Sequence, residues 1–517
     1  MTHLLRTKSI DALIAASEEP GKRLSKTLGP WSLTALGIGA VIGSGIFILT
    51  GTAAAGEKLS YDSILHAPVL DLLMHGRAAV STFGRPGAGP AISLSFLLTA
   101  LACSFAALCY AELASMIPIA GSAYTYAYAT LGEIFAWIIG WDLILEYAVS
   151  NMAVAVGFSA YLNDFLEAAF GVHLPAKLSG PMIAGGQFTG AWFNVPTLLL
   201  LLALSYILAQ GVKESAGTNN VMVLVKIAAI LIFVIGAARA VRVENWHPFM
   251  PNGFSGVLTG AAIVFFTYIG FDSVSTAAAE CRRPQRDLPF GIIATLVICT
   301  VLYVAVSLTL TGIAHYSTLN NAAPVAGALK ALGYDGIRRW VELGALVGML
   351  SSLLVFQYGQ ARIWFAMSRD GLLPRAFSRV HPVHRTPHVS TWVAGLVVGI
   401  PAGVWDIGTF ADLSNIGTLF AFIVVSAGVI VLRRTQPDRP RGFRVPGAPA
   451  LPLLSIVSCL VLMTALPLET WVRFFVWLIA GLAVYYFFGR KHSELRAEVV
   501  REQEVRQPGA AGSGSTP

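Results

Sequence analysis

Charge is what this chain has least of. Asp, Glu, Lys and Arg make up 12% of its 517 residues, about half the share of a soluble protein. That deficit excludes a large soluble helical protein, whose single core could not bury so much apolar surface. Cysteine is scarce too. Cys103, Cys109, Cys281, Cys299 and Cys459 form no CxxC pair, and four of them fall in apolar runs, where cysteine behaves as a small hydrophobe. No disulfide framework or metal centre is expected. The ten histidines lie mostly in loops or near helix ends, without HExxH spacing, which speaks against a membrane enzyme. The first 30 residues hold no apolar leader, so no cleaved signal is expected. The net charge of +7 comes from Lys and Arg in loops beside apolar segments, so nucleic acid is not the expected partner.

What is present is hydrophobic sequence, 55% of the chain with a mean hydropathy of +0.68. It falls into many runs of about 20 residues, the length that spans a bilayer as a helix. The expectation is an all-α polytopic membrane protein with twelve transmembrane helices. They are placed at 31–53, 90–116, 123–163, 195–211, 219–240, 254–280, 288–314, 340–368, 389–404, 409–433, 449–467 and 470–489. With the N-terminus inside, 23 of the 35 Lys and Arg residues lie on the inner side and ten in outer loops, while Lys226 and Arg362 lie within spans. Positive charge inside predicts that both termini are cytoplasmic. The domain reading is a cytoplasmic segment 1–30, a first five-helix repeat 31–240, a second 254–433, two further helices in 449–489, and a disordered tail 490–517. The outer loop 54–89 is unusually long.

The first span contains "GIGAVIGSGIF". Gly43, Ser44 and Gly45 fall near its middle, where each glycine costs about 1 kcal/mol of helix propensity against alanine. Close GxxxG packing through Gly39 and Gly43 would explain them. A second interruption, Gly270 and Asp272 in "AIVFFTYIGFDSVSTAAAE", argues otherwise, because it lies five helices later. Transporters built from two inverted five-helix repeats break the first helix of each repeat, and the breaks meet at the midplane. Freed backbone groups are tolerated there only where they line a cavity. A half-helix N-terminus suits a carboxylate and a half-helix C-terminus an ammonium. Together they describe a receptor for an α-amino acid.

"GIGAVIGSGIFILTG", "FFTYIGFDSVSTAAAECRRPQRDLPFGI" and "GQARIWFAMSRDGLLP" resemble the amino acid–polyamine–organocation permeases, in particular bacterial relatives of the cationic amino acid transporters. The likeness runs from Leu24 to Arg444 and more weakly beyond. It implies a five-plus-five inverted repeat with helices 1 and 6 broken, two added helices, and alternating access in a bacterial inner membrane. It places the substrate carboxylate on the backbone of Ile42, Gly43, Ser44 and Gly45, with Val41 beside them. It places the amine on the carbonyls of Phe266, Thr267 and Ile269, with Tyr268 and Gly270 in the same strip. The chain departs from the pattern in its outer loop 54–89 and in "AAAECRRPQ".

Two buried charges bear on coupling. Lys226 in "NNVMVLVKIAAI" costs roughly 2.5–3.5 kcal/mol within a span. It either snorkels to the inner side or stands where sodium-coupled relatives hold Na⁺, reaching Ser44 beside the first break, as the resemblance favours. Glu146, well inside the third span, is either paired structurally or exchanges protons beside the substrate. Asp142 is a packing candidate, and Asp272 a cap for the freed backbone of helix 6. Phe356 is a candidate wall for the substrate side chain, or plain packing. Arg362, Arg369, Asp370, Glu280, Arg282, Arg283 and Arg286 gather at the inner ends of helices 6 and 8, as gating ion pairs or as anchors.

The functional expectation is proton-coupled amino acid import, with the proton as coupling ion and no cofactor or metal. The lipid bilayer and an amino acid are its partners. An uncoupled exchanger, a polyamine or organocation permease, and a sensor with this fold remain alternatives. The particular amino acid and the oligomeric state are left open.

Overall fold

The computed structural model describes residues 6–17, 28–58, 63–76, 84–119, 122–210, 216–384 and 386–496. Its helices, in chain order, are α1 (Ile10–Ser17), α2 (Pro30–Val41), α3 (Ser44–Ala55), α4 (Val69–His75), α5 (Ile92–Met116), α6 (Ser122–Thr130), α7 (Glu133–Phe170), α8 (Val195–Ala209) and α9 (Ala216–Ala237). They continue as α10 (Gly253–Val264), α11 (Pro284–Ile313), α12 (Pro324–Ala331), α13 (Asp335–Arg369), α14 (His388–Ala402), α15 (Ile407–Thr435), α16 (Ala450–Thr464), α17 (Leu468–Val484) and the short α18 (Arg490–His492).

Among the described residues, eight helical stretches are long and apolar enough to cross a membrane. The pair α2–α3, bent by 48°, makes a ninth, and α8, α14 and α16 are shorter apolar helices. Local chemistry sets their ends. Pro30 opens α2, where a missing N–H costs nothing. Asn194 and Asp406 cap α8 and α15 by accepting the N–H groups of Thr197 and Thr409. Gly171, with φ of 65°, closes α7 in the left-handed conformation that glycine adopts without strain.

The long α7 and α13 lie against each other at the centre, with α15 also packed on α7 and α9 on α13. α11 runs beside both α5 and α2. These packings surround the α2–α3 pair, whose residues from Gly37 to Ala54 are almost all buried. Lipid-facing surfaces stay apolar, as on α9, where Leu224 and Ile235 are exposed.

Three boundaries differ from expectation. The span predicted at 123–163 is two helices, because Gly132 at φ 101° turns the chain between α6 and α7. The sixth span does not resume as an α-helix after its break but continues as a 3-10 helix, Phe271–Glu280. The start of the tail expected to be disordered is ordered: the Ser493 hydroxyl donates to Glu133 Oε2 at 2.5 Å, and the Glu494 N–H donates to the Asp370 carbonyl at 3.2 Å. Residues 497–517 lie outside the described residues. The long loop after α3 holds a two-stranded antiparallel sheet of β1 (Gly56–Lys58) and β2 (Gly84–Pro86). A second, β3 (Ile183–Ala184) with β4 (Gln187–Phe188), follows α7.

Candidate substrate site at two helix breaks

α2 ends at Val41, Ile42 turns to an extended conformation, and α3 begins at Ser44 with no side chain capping it. Ser44, Gly45 and Ile46 are therefore the first helical residues, whose N–H groups have no intrahelical acceptor. The site is narrower than the sequence implies. The Ile42 N–H donates to the Ile38 carbonyl at 3.0 Å, and that of Gly43 to Val41 at 3.1 Å. Both are spent on closing α2, whereas the N–H groups of Ser44 and Gly45 open α3. The Ser44 hydroxyl is fully buried and has no hydrogen-bond partner among the described residues.

The sixth span breaks in a complementary way. α10 passes into a 3-10 turn, Phe265–Tyr268, then Ile269 extends and Gly270 takes φ of 114°. That angle favours glycine because it lacks a Cβ. The two breaks touch. A Cβ on Gly270 would stand 2.9 Å from Ala40 Cβ, and one on Gly45 would stand 2.8 Å from Thr267 Cγ2. Glycine thus lets the two backbones approach, and the GxxxG reading accounts for only part of the motif.

Tyr303, on α11, joins the breaks. Its buried hydroxyl lies 2.8 Å from the Thr267 carbonyl and 3.1 Å from that of Val41. A phenol has one proton, so it satisfies one of these acceptors at a time. Its ring packs on Tyr268 and Phe96 at centroid distances of 5.3 and 5.5 Å. Tyr268 points its hydroxyl to the Phe96 carbonyl at 3.1 Å, so its side chain belongs to this wall. Among the carbonyls expected to hold an amine, Phe266 accepts from the Ile269 N–H at 3.3 Å and Thr267 from Tyr303.

Lys226 is fully buried on α9. Its ammonium donates to the carbonyls of Gly39 at 2.7 Å and Ile42 at 2.8 Å, with Ile38 at 3.5 Å. It does not snorkel, and it does not bond Ser44 as expected. A cation is drawn to the carbonyl end of α2, the negative end of its dipole, rather than to a hydroxyl at the start of α3. From α13, the Ser352 hydroxyl reaches the same two carbonyls at 3.1 and 3.2 Å. One turn further along α13 is Phe356, buried and edge-on to Tyr147 at 5.8 Å.

Glu146 lies buried on α7, with Asp142, Asp272 and Thr418 in electrostatic or hydrogen-bonding reach. Its Oε2 and both oxygens of Asp142 have no hydrogen-bond partner among the described residues. Asp272 is buried near the backbone of Gly270 and Ser273 and the Ser122 side chain. Of the charges expected at the inner ends of helices 6 and 8, Asp370 pairs with Lys8 at 3.0 Å and accepts from Tyr124 at 2.6 Å. Arg362 stacks on the Tyr358 ring at 3.9 Å. Tyr303 and Ser352 escape sequence reading, because "ICTVLYVAV" and "GMLSSLLVF" look like ordinary apolar helix.

The family model described as amino acid permease matches residues 28–485. The chain is 46% identical to the methylthioribose transporter of Bacillus subtilis (strain 168), covering 96% of this chain and all of that protein. It is also 46% identical to the branched-chain amino acid permease BcaP of the same organism, over 95% and 99% of the two chains. With the chloroplastic cationic amino acid transporter 9 of Arabidopsis thaliana it shares 32% identity over 95% and 93%. A polytopic helical chain with two abutting helix breaks, matched over nearly its whole length, belongs to the amino acid permease family of the amino acid–polyamine–organocation superfamily.

Proposed function

We propose that this protein is a proton-coupled amino acid importer of a bacterial cell membrane, working by alternating access. The single observation that supports the reading is the contact between the two breaks, Gly45 against Phe266 and Thr267, which we take to offer the N–H groups of Ser44 and Gly45 together with the carbonyls of Val41, Phe266, Thr267 and Ile269. The substrate α-carboxylate takes the former and the α-ammonium the latter. Phe356 and Tyr147 border the side chain. Counting α8, α14 and α16 as crossings brings the total to twelve helices in two inverted five-helix repeats with two added, both termini being cytoplasmic. Lys226 and Glu146 exchange the coupling proton, and no cofactor takes part.

Support for the substrate class comes from the relatives named for branched-chain and cationic amino acids. A second reading, a neutral thiosugar, is favoured by the equally similar methylthioribose transporter. Thermal-shift binding on the purified protein separates them. Stabilisation by an amino acid, lost when its carboxylate is amidated, supports the helix-break site. Stabilisation by methylthioribose alone rejects it.

A further inference from the structure

Beyond the breaks, the long outer loop carries an arginine buried against two carboxylates. Arg85 on β2 has a side chain 3% exposed. Its Nε and Nη2 donate to Glu57 Oε2 at 2.8 and 2.7 Å, while Nη1 and Nη2 meet Asp412 Oδ1 and Oδ2, each at 3.0 Å. This is the planar two-pronged geometry that guanidinium forms with carboxylate. Burial works against the charge on Arg85, yet Asp412 and Glu57 outweigh it and hold its proton more firmly than water does.

Asp412 begins a polar line on α15. Asn415 and Thr418 follow at three-residue steps, which keeps all three within about 120° of the helix circumference. Each is buried. Asn415 donates to the Ala262 carbonyl at 2.8 Å, just before the second break, and its Oδ1 has no partner among the described residues. Thr418, whose hydroxyl donates to the Ser414 carbonyl at 3.0 Å, lies within reach of Glu146. The line therefore runs from the Arg85 cluster to the carboxylate beside the candidate site. Asp406 and Glu469 lie in electrostatic reach of Glu57 and Asp412, so the outer end is acidic. A buried pair of this kind adds little net stability over apolar packing. One that joins a loop to a core helix is readily exchanged for water when the two separate.

We propose that Arg85 is the outer latch of the permeation path: seated on Asp412 and Glu57 it closes the outer face, and its release opens the polar line along α15 to water and to an ammonium-bearing substrate. The inference rests on the transport reading above, but its test does not. In the full-length chain with its five buried cysteines replaced, Asn415→Cys is exposed to a membrane-impermeant thiol reagent from outside. Labelling is slow with Arg85 present and at least fivefold faster in Arg85→Gln and in Asp412→Asn. Unchanged or slower labelling overturns the latch. Should Arg85→Gln fail to fold, Arg85→Gln/Asp412→Asn removes both charges and is expected to fold and label fast. Failure of that double variant as well would make the cluster purely structural. Fast labelling of Arg85→Gln in a protein that binds no amino acid would keep the latch and reject the substrate reading.

Discussion

The Lys226 ammonium donates to the Gly39 carbonyl across 2.7 Å, fixing α9 to the last turn of the first half-helix. Ile42 accepts from the same ammonium at 2.8 Å, so one side chain closes the end of α2 with its charge. The two short bonds use two N–H donors of the amine, and no carboxylate pairs with it among the described residues. Lys226→Met is expected to abolish accumulation driven by an inward proton gradient in proteoliposomes. Uptake that still followed the gradient would remove Lys226 from the coupling step.

Tyr303→Phe leaves the Thr267 carbonyl without its hydroxyl donor and Val41 with only the Gly43 N–H. A buried acceptor stripped of its partner costs about 1–3 kcal/mol. The expected result is a melting temperature lower by several degrees and a KM for substrate raised several-fold. Titrating uptake against substrate concentration checks it. Thr295→Val, which removes a bond between the same two helices at Thr34, should leave KM unchanged.

Gly270→Ala forces a side chain into φ of 114° and drives its Cβ to 2.9 Å from Ala40. Backbone strain alone is worth about 1–3 kcal/mol, and the clash pushes the two breaks apart. Transport should fall more than tenfold. Gly29→Ala, with nothing within 4 Å of the added methyl, should transport normally. Equal activity of the two variants would deny the close approach of the breaks any role.

The contact of α1 with Arg439 has its own pH dependence. Hydrogen bonding and charge attraction from Arg439 hold the Asp11 carboxyl below its ordinary value of 3.8. Because the docked form lowers this pKa, the contact is fully present above pH 3.8 and is lost as pH falls through the docked value. Protection against hydrogen exchange across Ile10–Ser17, taken relative to the intrinsic rate at each pH, should therefore be steady from pH 8 to 5 and fall in stronger acid. Asp11→Asn should be less protected above pH 5 and converge on the parent in strong acid, the difference being largest at low salt.

The positions of the helix breaks are legible because glycine and aspartate have no business in the middle of an apolar span. Ser44 and Gly270 can be read from that alone. What fills the space between the breaks cannot. Tyr303 is one aromatic residue in an apolar run, and only its distance to two carbonyls gives it meaning. Lys226 announces itself by charge but not by its acceptors, because sequence does not tell which end of a broken helix a neighbour will face. Gly132 hides as a boundary, since a glycine between apolar stretches ends a helix only if the chain turns there. The Arg85 cluster joins residues 28 and 327 positions apart, a separation at which local pattern carries no information.

Asp370 meets both ends of the described chain. Its carboxylate takes the Lys8 ammonium, and its main-chain oxygen takes the Glu494 N–H. The neighbouring Gly371 has no room for a side chain against the His492 carbonyl. A tag or fused reporter placed close to residue 8 or residue 494 is thus attached to the C-terminal end of α13, the helix that also bears Ser352. Affinity tags, fluorescent fusions and surface tethers at either point pull on a working part of the protein. A tagged form made for purification or imaging needs a flexible spacer before its transport rate can stand for that of the untouched molecule.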